Sequence, residues 1–157
     1  MAKILVIYDS RTGKTEQMAQ LVAEGAQEAD AEVDLKKVAD TDVDELPNYD
    51  GLIVGSPTYY GVMAASLKKF FDDSVKYQGD LSGMVGGAFT SSGNLGGGNE
   101  TTLLSILEAM LIHGMVIQGS ASGDHYGPVS IGEPESRAAE ECRALGSRVA
   151  ELASKLR

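Results

Sequence analysis

Residues 4–29 limit what this chain can fold into more than any other stretch. Ile4-Leu5-Val6-Ile7 is apolar without alternation, and it stops at Tyr8-Asp9-Ser10-Arg11-Thr12-Gly13-Lys14-Thr15, a turn dense in hydroxyls with one glycine and two cations. Met18, Leu21, Val22, Gly25 and Ala29 then recur at helical spacing, which predicts an amphipathic helix over residues 15–29. An apolar run with no polar side suits a strand covered on both faces, as in a parallel sheet. The joint between the two is a tight loop running into a helix N-terminus, where free backbone N–H groups gather around an anion. Ser10, Thr12 and Thr15 offer hydroxyl donors, and Gly13 lets the backbone approach closely. The first inference is a phosphate-binding loop.

Strand and helix go on alternating. Glu32–Val38 sets Val33 and Leu35 against charges, the pattern of a half-exposed edge strand, and the acidic segment Asp40–Asp50 reads as a surface connection. Gly51–Gly55 is a second apolar run, followed by Ser56–Gly61 and by a helix marked by Leu67, Phe70, Phe71 and Val75. Met84–Phe89 is a third buried strand, and it enters Ser91–Gly98. A helix opening near Asn99, taken as its N-cap, carries Leu103, Leu104, Leu107, Met110 and Leu111. Met115–Ile117 is the last expected strand, Ser120–Gly132 a loop, and Pro134 an early residue of the final helix. That helix packs through Ala138, Cys142, Leu145, Val149, Leu152 and Leu156, so Cys142 is expected to be a buried structural thiol. Alternation with short connections implies one α/β domain over residues 1–157, a doubly wound five-stranded parallel sheet with helices on both faces. The edge character of the second strand favours the order 2-1-3-4-5, with ligands at the carboxyl ends of the strands. Three loops rich in glycine and hydroxyls, 10–15, 56–62 and 91–98, then share one rim.

Charge and cysteine content narrow the function. A formal charge of −10 repels nucleic-acid phosphates and anionic membranes and suits basic partners, or is simply a solvated acidic surface. One cysteine and two histidines, His113 and His125, argue against a disulfide framework and a zinc cage. With no apolar stretch of spanning length, and with Met1-Ala2-Lys3 running straight into the first strand, the expectation is a cytoplasmic, metal-free protein. Gly13-Lys14-Thr15 resembles the end of a nucleoside-triphosphate loop, but the earlier glycine of that motif falls on Tyr8. A phospho-acceptor receiver shares the topology, yet Ser56 stands where it needs an aspartate.

Ser10-Arg11-Thr12-Gly13-Lys14-Thr15 resembles the FMN-phosphate loop of flavodoxin-like proteins. Gly55-Ser56-Pro57-Thr58-Tyr59-Tyr60-Gly61, Phe89–Gly93, Gly96–Glu100 and His113-Gly114-Met115 together resemble the WrbA group of NAD(P)H:quinone oxidoreductases, across nearly the whole chain. The resemblance implies that Ser10, Thr12, Gly13, Lys14 and Thr15 hold the FMN phosphate, with Arg11 adding charge beside it. It implies that Pro57, Thr58, Tyr59, Tyr60 and Gly61 line the isoalloxazine. Ser91, Ser92, Gly93, Asn94, Leu95, Gly96 and Gly97 would close its pyrimidine end. His113 ends an apolar helical face, where a satisfied core histidine is the usual case; the resemblance instead gives it an orienting hydrogen bond or proton delivery to a quinone. His125 and Tyr126 are expected either to cap the open flavin face or to lie on the surface.

Two functions follow from the resemblance. One is a two-electron enzyme taking hydride from NADH or NADPH through flavin N5 to a quinone; the other is a one-electron carrier between redox proteins. Asn94-Leu95-Gly96 offers no aromatic to stack on the flavin, which favours the enzyme, whereas the acidic surface favours the carrier. Asp40–Asp50 and Asp72–Ser82 are shorter than in the WrbA group. The latter lacks the tryptophan that the group lends to a neighbouring subunit, and Tyr77 is the aromatic nearby. A homo-oligomer is an open expectation.

Overall fold

In the computed structural model, which describes all 157 residues, β1 (Lys3–Tyr8) lies inside the sheet, one strand from its edge. It pairs in parallel with β2 (Glu32–Lys37) on one side and β3 (Gly51–Pro57) on the other. β4 (Val85–Ser92) adds to β3, and β5 (Val116–Ile117) adds to β4, giving the order β2-β1-β3-β4-β5. The unalternating run of β1 has a direct structural meaning. Leu5 and Ile7, with Leu52 and Val54 of β3, enter a core beneath α2 (Ala65–Asp73) and α3 (Asn99–Ile112). Ile4 and Val6, with Ile53, enter a second core beneath α1 (Lys14–Glu28) and α4 (Ser136–Leu156). Successive strand residues point to opposite faces, so a sheet covered twice needs apolar residues at every position.

β2 is the edge that its charges announce. Leu35 is exposed, Lys36 pairs with Glu45 at 2.5 Å, and Lys3 of β1 approaches Glu32. The segment after it is more than a surface connection. It forms two short 3-10 turns, Val38–Asp40 and Val43–Asn48, and buries Leu46 and Tyr49 in the α2/α3 core. Asp42 and Glu45 cap the second turn reciprocally, which offsets its exposed N–H groups.

The far edge departs from the expected five strands. β5 covers only the start of β4, at Val85 and Gly86. A sixth strand, β6 (Val129–Ile131), lies within the segment read as a loop and pairs in parallel with Thr90–Ser92 at the end of β4. The position beyond β4 is therefore filled by two short pieces with residues 118–128 inserted between them. α4 starts at Ser136 with Glu135 as its N-cap, so Pro134 lies just outside the helix. α1 and α4 cross at a mutual glycine contact: a Cβ on Gly25 would meet the Arg143 carbonyl oxygen at 2.0 Å, and one on Gly146 the Val22 carbonyl oxygen at 2.0 Å. No helix is long and apolar enough to cross a membrane.

Candidate functional site: a rim of three loops

The three loops do meet at the carboxyl end of the sheet. The first leaves β1 with the Asp9 N–H on the Gly55 carbonyl at 3.2 Å, so it begins in register with β3. The Ser10 hydroxyl accepts the Gly13 N–H at 3.1 Å, and Gly13, at φ 89°, turns the chain into α1 without any side-chain cap. The N–H groups of Thr12, Lys14, Thr15 and Glu16 find no acceptor in the protein. A helix N-terminus with its first-turn donors free carries partial positive charge and suits an anion. Arg11 and Lys14 stand beside it, and neither pairs with a carboxylate despite the acidic surroundings. Two unneutralised cations at the positive end of a helix repel it and each other, a local cost that a bound anion would remove.

The second loop is tied down by hydroxyls buried inside strands. Ser56 is fully buried; its Oγ accepts the Ala64 N–H at 2.8 Å and donates to the Pro57 carbonyl at 2.7 Å, fixing both ends of the loop. The Thr90 hydroxyl donates to the Ser56 carbonyl at 2.7 Å. The Thr58 hydroxyl therefore donates to Thr90 Oγ1 at 2.8 Å, and the Thr58 N–H reaches the Ser91 carbonyl at 2.8 Å. Residues 59–62 form a two-residue hairpin turn with reciprocal 3.2 Å bonds between Tyr59 and Val62. Tyr60 at φ 50° and Gly61 at φ 80° give it the type I′ shape. A tyrosine in the left-handed region is an uncommon conformation of the kind that collects at functional sites.

The third loop locks onto the other two. Thr15 Oγ1 and Ser91 Oγ lie 2.8 Å apart, both buried, joining the first turn of α1 to β4. The Ser92 hydroxyl donates to the Asn94 carbonyl at 3.0 Å, and the Asn99 side-chain amide reaches Ser92 Oγ at 3.4 Å. Asn99 is not the N-cap of α3. That place belongs to Gly98 at φ 101°, while Asn99 lies inside the helix and ties the loop down. Gly98 also touches the second loop, since a Cβ there would come within 2.8 Å of Gly61 Cα. The N–H groups of Gly93, Asn94 and Leu95 have no protein acceptor.

Between the loops lies a cavity of about 210 Å³ lined by Arg11, Thr12, Lys14, Thr15, Pro57, Thr58, Tyr59, Ser91, Ser92 and Gly93. One end offers cations, hydroxyls and free N–H groups. The other offers the Tyr59 ring, with Arg11 stacked over it at 4.7 Å. Tyr60, Val62 and Leu95 project around the mouth, Tyr60 fully exposed and Leu95 at 88%. A larger cavity of about 630 Å³ lies between residues 38–43 and α2. Its walls carry Asp40, Asp42 and Asp73 against one cation, Lys69, so it is less suited to an anion than the smaller cavity. Asn94, Gly96 and Gly97 are rim residues of the third loop. Ser10 and Gly13 shape the first loop from beneath.

Three expected residues are not brought to this cavity. α3 begins at the rim and runs back for 14 residues, so His113 at its end lies about 21 Å away, at the opposite end of the sheet. There it is buried. The Ser74 hydroxyl gives its proton to the Phe71 carbonyl at 2.6 Å, so His113 Nε2–H donates to Ser74 Oγ at 2.7 Å while Nδ1 has no partner. Burial lowers its pKa. Within this chain His113 is buried and its one hydrogen-bond partner is Ser74. His125 binds the Ser120 carbonyl through Nδ1 at 2.7 Å, within the inserted segment. Gly127, next to Tyr126, packs on Ala88, four residues before the end of β4, and neither His125 nor Tyr126 lines the cavity. Tyr77 hydrogen-bonds to Asp44 of its own chain at 2.7 Å. The sequence reading missed the support given by Thr90 and Asn99; a hydroxyl inside an otherwise apolar strand was the available signal.

Comparison with known proteins agrees with this geometry. The profile of the family described as Flavodoxin matches residues 6–151. A "Flavodoxin" of Aquifex aeolicus is 45% identical over 160 aligned positions, covering 96% of this chain and 86% of that protein. An "NAD(P)H dehydrogenase (quinone)" of Archaeoglobus fulgidus is 38% identical over 190 positions, covering 99% of this chain and all of the other. Among solved structures, the flavodoxin, WrbA-like protein from Agrobacterium tumefaciens superposes with a TM-score of 0.85 at 30% identity, covering 100% of both chains.

Proposed function

This chain belongs to the flavodoxin family, and we propose that it is an FMN-dependent oxidoreductase that carries two electrons from NADH or NADPH to a quinone in the cytoplasm. One observation carries the reading: a single cavity joins free N–H groups and two unpaired cations, fit for a phosphate, to an aromatic wall fit for a flat ring. The donor set suits FMN, a monophosphate with a planar heterocycle. Several relatives bear the name NAD(P)H dehydrogenase (quinone), and the third loop carries the exposed Leu95 but no aromatic at the mouth of the cavity. That side stays accessible, as a hydride donor and a quinone both require.

When bound, FMN supplies hydride acceptance at N5 and electron release to the quinone. The rest is the work of the chain. Thr12, Lys14, Thr15 and Glu16 have free N–H groups that would hold the phosphate, and Arg11 and Lys14 would offset its charge. Tyr59, which lines the cavity, would exclude water from the ring. The free N–H groups of Gly93, Asn94 and Leu95 are donors for negative charge that grows at the pyrimidine end on reduction. Because Thr58, Thr90, Ser91 and Asn99 hold these loops by hydrogen bonds, the donors need no reorganisation during the reaction.

A carrier of single electrons is the second reading, favoured by the acidic surface, with a formal charge of −10, and by the 45% identity to the "Flavodoxin" of Aquifex aeolicus. Stopped-flow mixing of the FMN-loaded protein with NADH and with NADPH separates them. Rapid bleaching of the flavin, followed by reoxidation by a quinone, is the expected result. Hydride transfer too slow for turnover, together with photoreduction in two resolved one-electron steps, would establish the carrier instead. A protein that takes up no FMN would sink both readings.

A further inference from the structure

We propose that Arg11 is a positioning residue for the flavin ring as well as a counter-charge for the phosphate, because its guanidinium clamps the Tyr59 ring across the cofactor cavity. The inference rests on the flavin reading above. Three observations point to it. Arg11 has no hydrogen bond and no carboxylate partner, although the chain carries a charge of −10, so nothing but Tyr59 holds its head group. The guanidinium lies 4.7 Å from the Tyr59 ring centroid, within the range of cation–π attraction. Both side chains line the same cavity, Arg11 from the loop after β1 and Tyr59 from the loop after β3.

The backbone at each end is already fixed, so the side chains are what the clamp decides. Ser10 Oγ holds Gly13 on the Arg11 side. On the other side, the paired bonds between Tyr59 and Val62 close the turn, and Thr58 is tied to Ser91 and Thr90. Tyr59 itself is only half-buried, and its ring would otherwise swing toward solvent as its neighbour Tyr60 does. Stacking on a planar, weakly hydrated guanidinium fixes the ring before the cofactor arrives, which lowers the ordering cost of binding. The phosphate end and the ring end of the site are thereby coupled through one side chain.

Riboflavin, which has the ring but no phosphate, separates the two roles. Affinities of FMN and riboflavin are measured by flavin fluorescence for the wild type, Arg11→Ala, Tyr59→Leu and the double variant. Arg11 is exposed and bonded to nothing else, so Arg11→Ala folds; Tyr59 packs on the α2/α3 core, and circular dichroism checks the fold of Tyr59→Leu and of the double variant. Arg11→Ala is expected to weaken riboflavin binding about three- to fivefold, the size of one exposed cation–π contact, and to have no effect on riboflavin in the Tyr59→Leu background. In the cofactor-free protein, the δ-methylene protons of Arg11 should be shifted upfield by the Tyr59 ring current, and Tyr59→Leu should abolish the shift. Loss of FMN affinity with unchanged riboflavin affinity in Arg11→Ala would overturn the clamp and leave Arg11 a phosphate counter-charge. So would unshifted Arg11 protons. A wild-type protein that binds neither flavin would refute the cofactor reading itself, and the clamp with it.

Discussion

Replacing Gly98 by alanine tests whether the second and third loops position each other. Two costs act at this residue. Its φ of 101° lies in the left-handed region, which disfavours any L side chain by about 1–2 kcal/mol. The new Cβ would also fall 2.8 Å from Gly61 Cα and 3.2 Å from Thr58 Cγ2. Carbon contacts are comfortable at about 3.5–4.0 Å, so the Tyr59–Val62 turn has to retreat by about 0.7 Å or more. Overpacking of that kind costs about 1–3 kcal/mol, for a total of about 2–5 kcal/mol. Gly79 is the matched control, with φ 93° and nothing within 4 Å of its would-be Cβ. Gly79→Ala bears the backbone cost alone. In urea denaturation of the cofactor-free protein, Gly98→Ala should have the lower midpoint, and its FMN Kd should rise on the order of tenfold, the equivalent of about 1.4 kcal/mol. Gly79→Ala should bind FMN normally. If the two variants share one midpoint and one FMN affinity, the Gly61–Gly98 contact does not set the site.

The remaining predictions concern the anion end and the two buried titratable groups. Thr12→Ala combined with Lys14→Ala should weaken FMN binding more than tenfold by fluorescence titration while riboflavin affinity holds; unchanged FMN affinity would count against the loop assignment. Burial keeps His113 neutral in the folded protein by lowering its pKa from the ordinary 6.5, so the unfolded chain takes up the proton first as pH falls. Stability contributed by neutral His113 is thus present at pH 7 and erodes as pH drops through the ordinary histidine value toward the folded one. His113→Gln should flatten the urea midpoint between pH 7 and 5, and an unaltered slope would refute the assignment. Burial pushes the Cys142 thiol up to about 12. At pH 8 only about one molecule in 10⁴ then carries the reactive thiolate, so an aromatic disulfide reagent should label Cys142 at the rate of unfolding and no faster.

Much of the fold could be read from local pattern because a doubly covered sheet imposes that pattern at every position. Ile4 through Ile7 had to be apolar throughout, since alternate residues feed two different cores. Charges interleaved with Val33 and Leu35 marked the edge for the converse reason. The shape of the first loop was legible too, because its cause is local: a strand end, Ser10 turned onto Gly13, and the free first turn of α1. β6 was not legible. Three residues give no periodicity, and Val129–Ile131 forms a strand only because β5 stops after two residues and leaves the end of β4 without a partner.

The sequence by itself determined the first five strands, the four helices, the order of the sheet and the three loops of the rim, all of which follow from side-chain period and turn chemistry within a few residues. Only the tertiary structure decided what stands together. It sent His113 to the far end of α3, where it meets Ser74, because the helix that starts at the rim must run back along the sheet. It set His125 and Tyr126 outside the cavity, on the flank of β4. It also brought Arg11 over Tyr59, a contact between residues 48 positions apart in a chain whose pattern never pairs them. Each of these depends on element length, register and crossing direction, which no local period encodes.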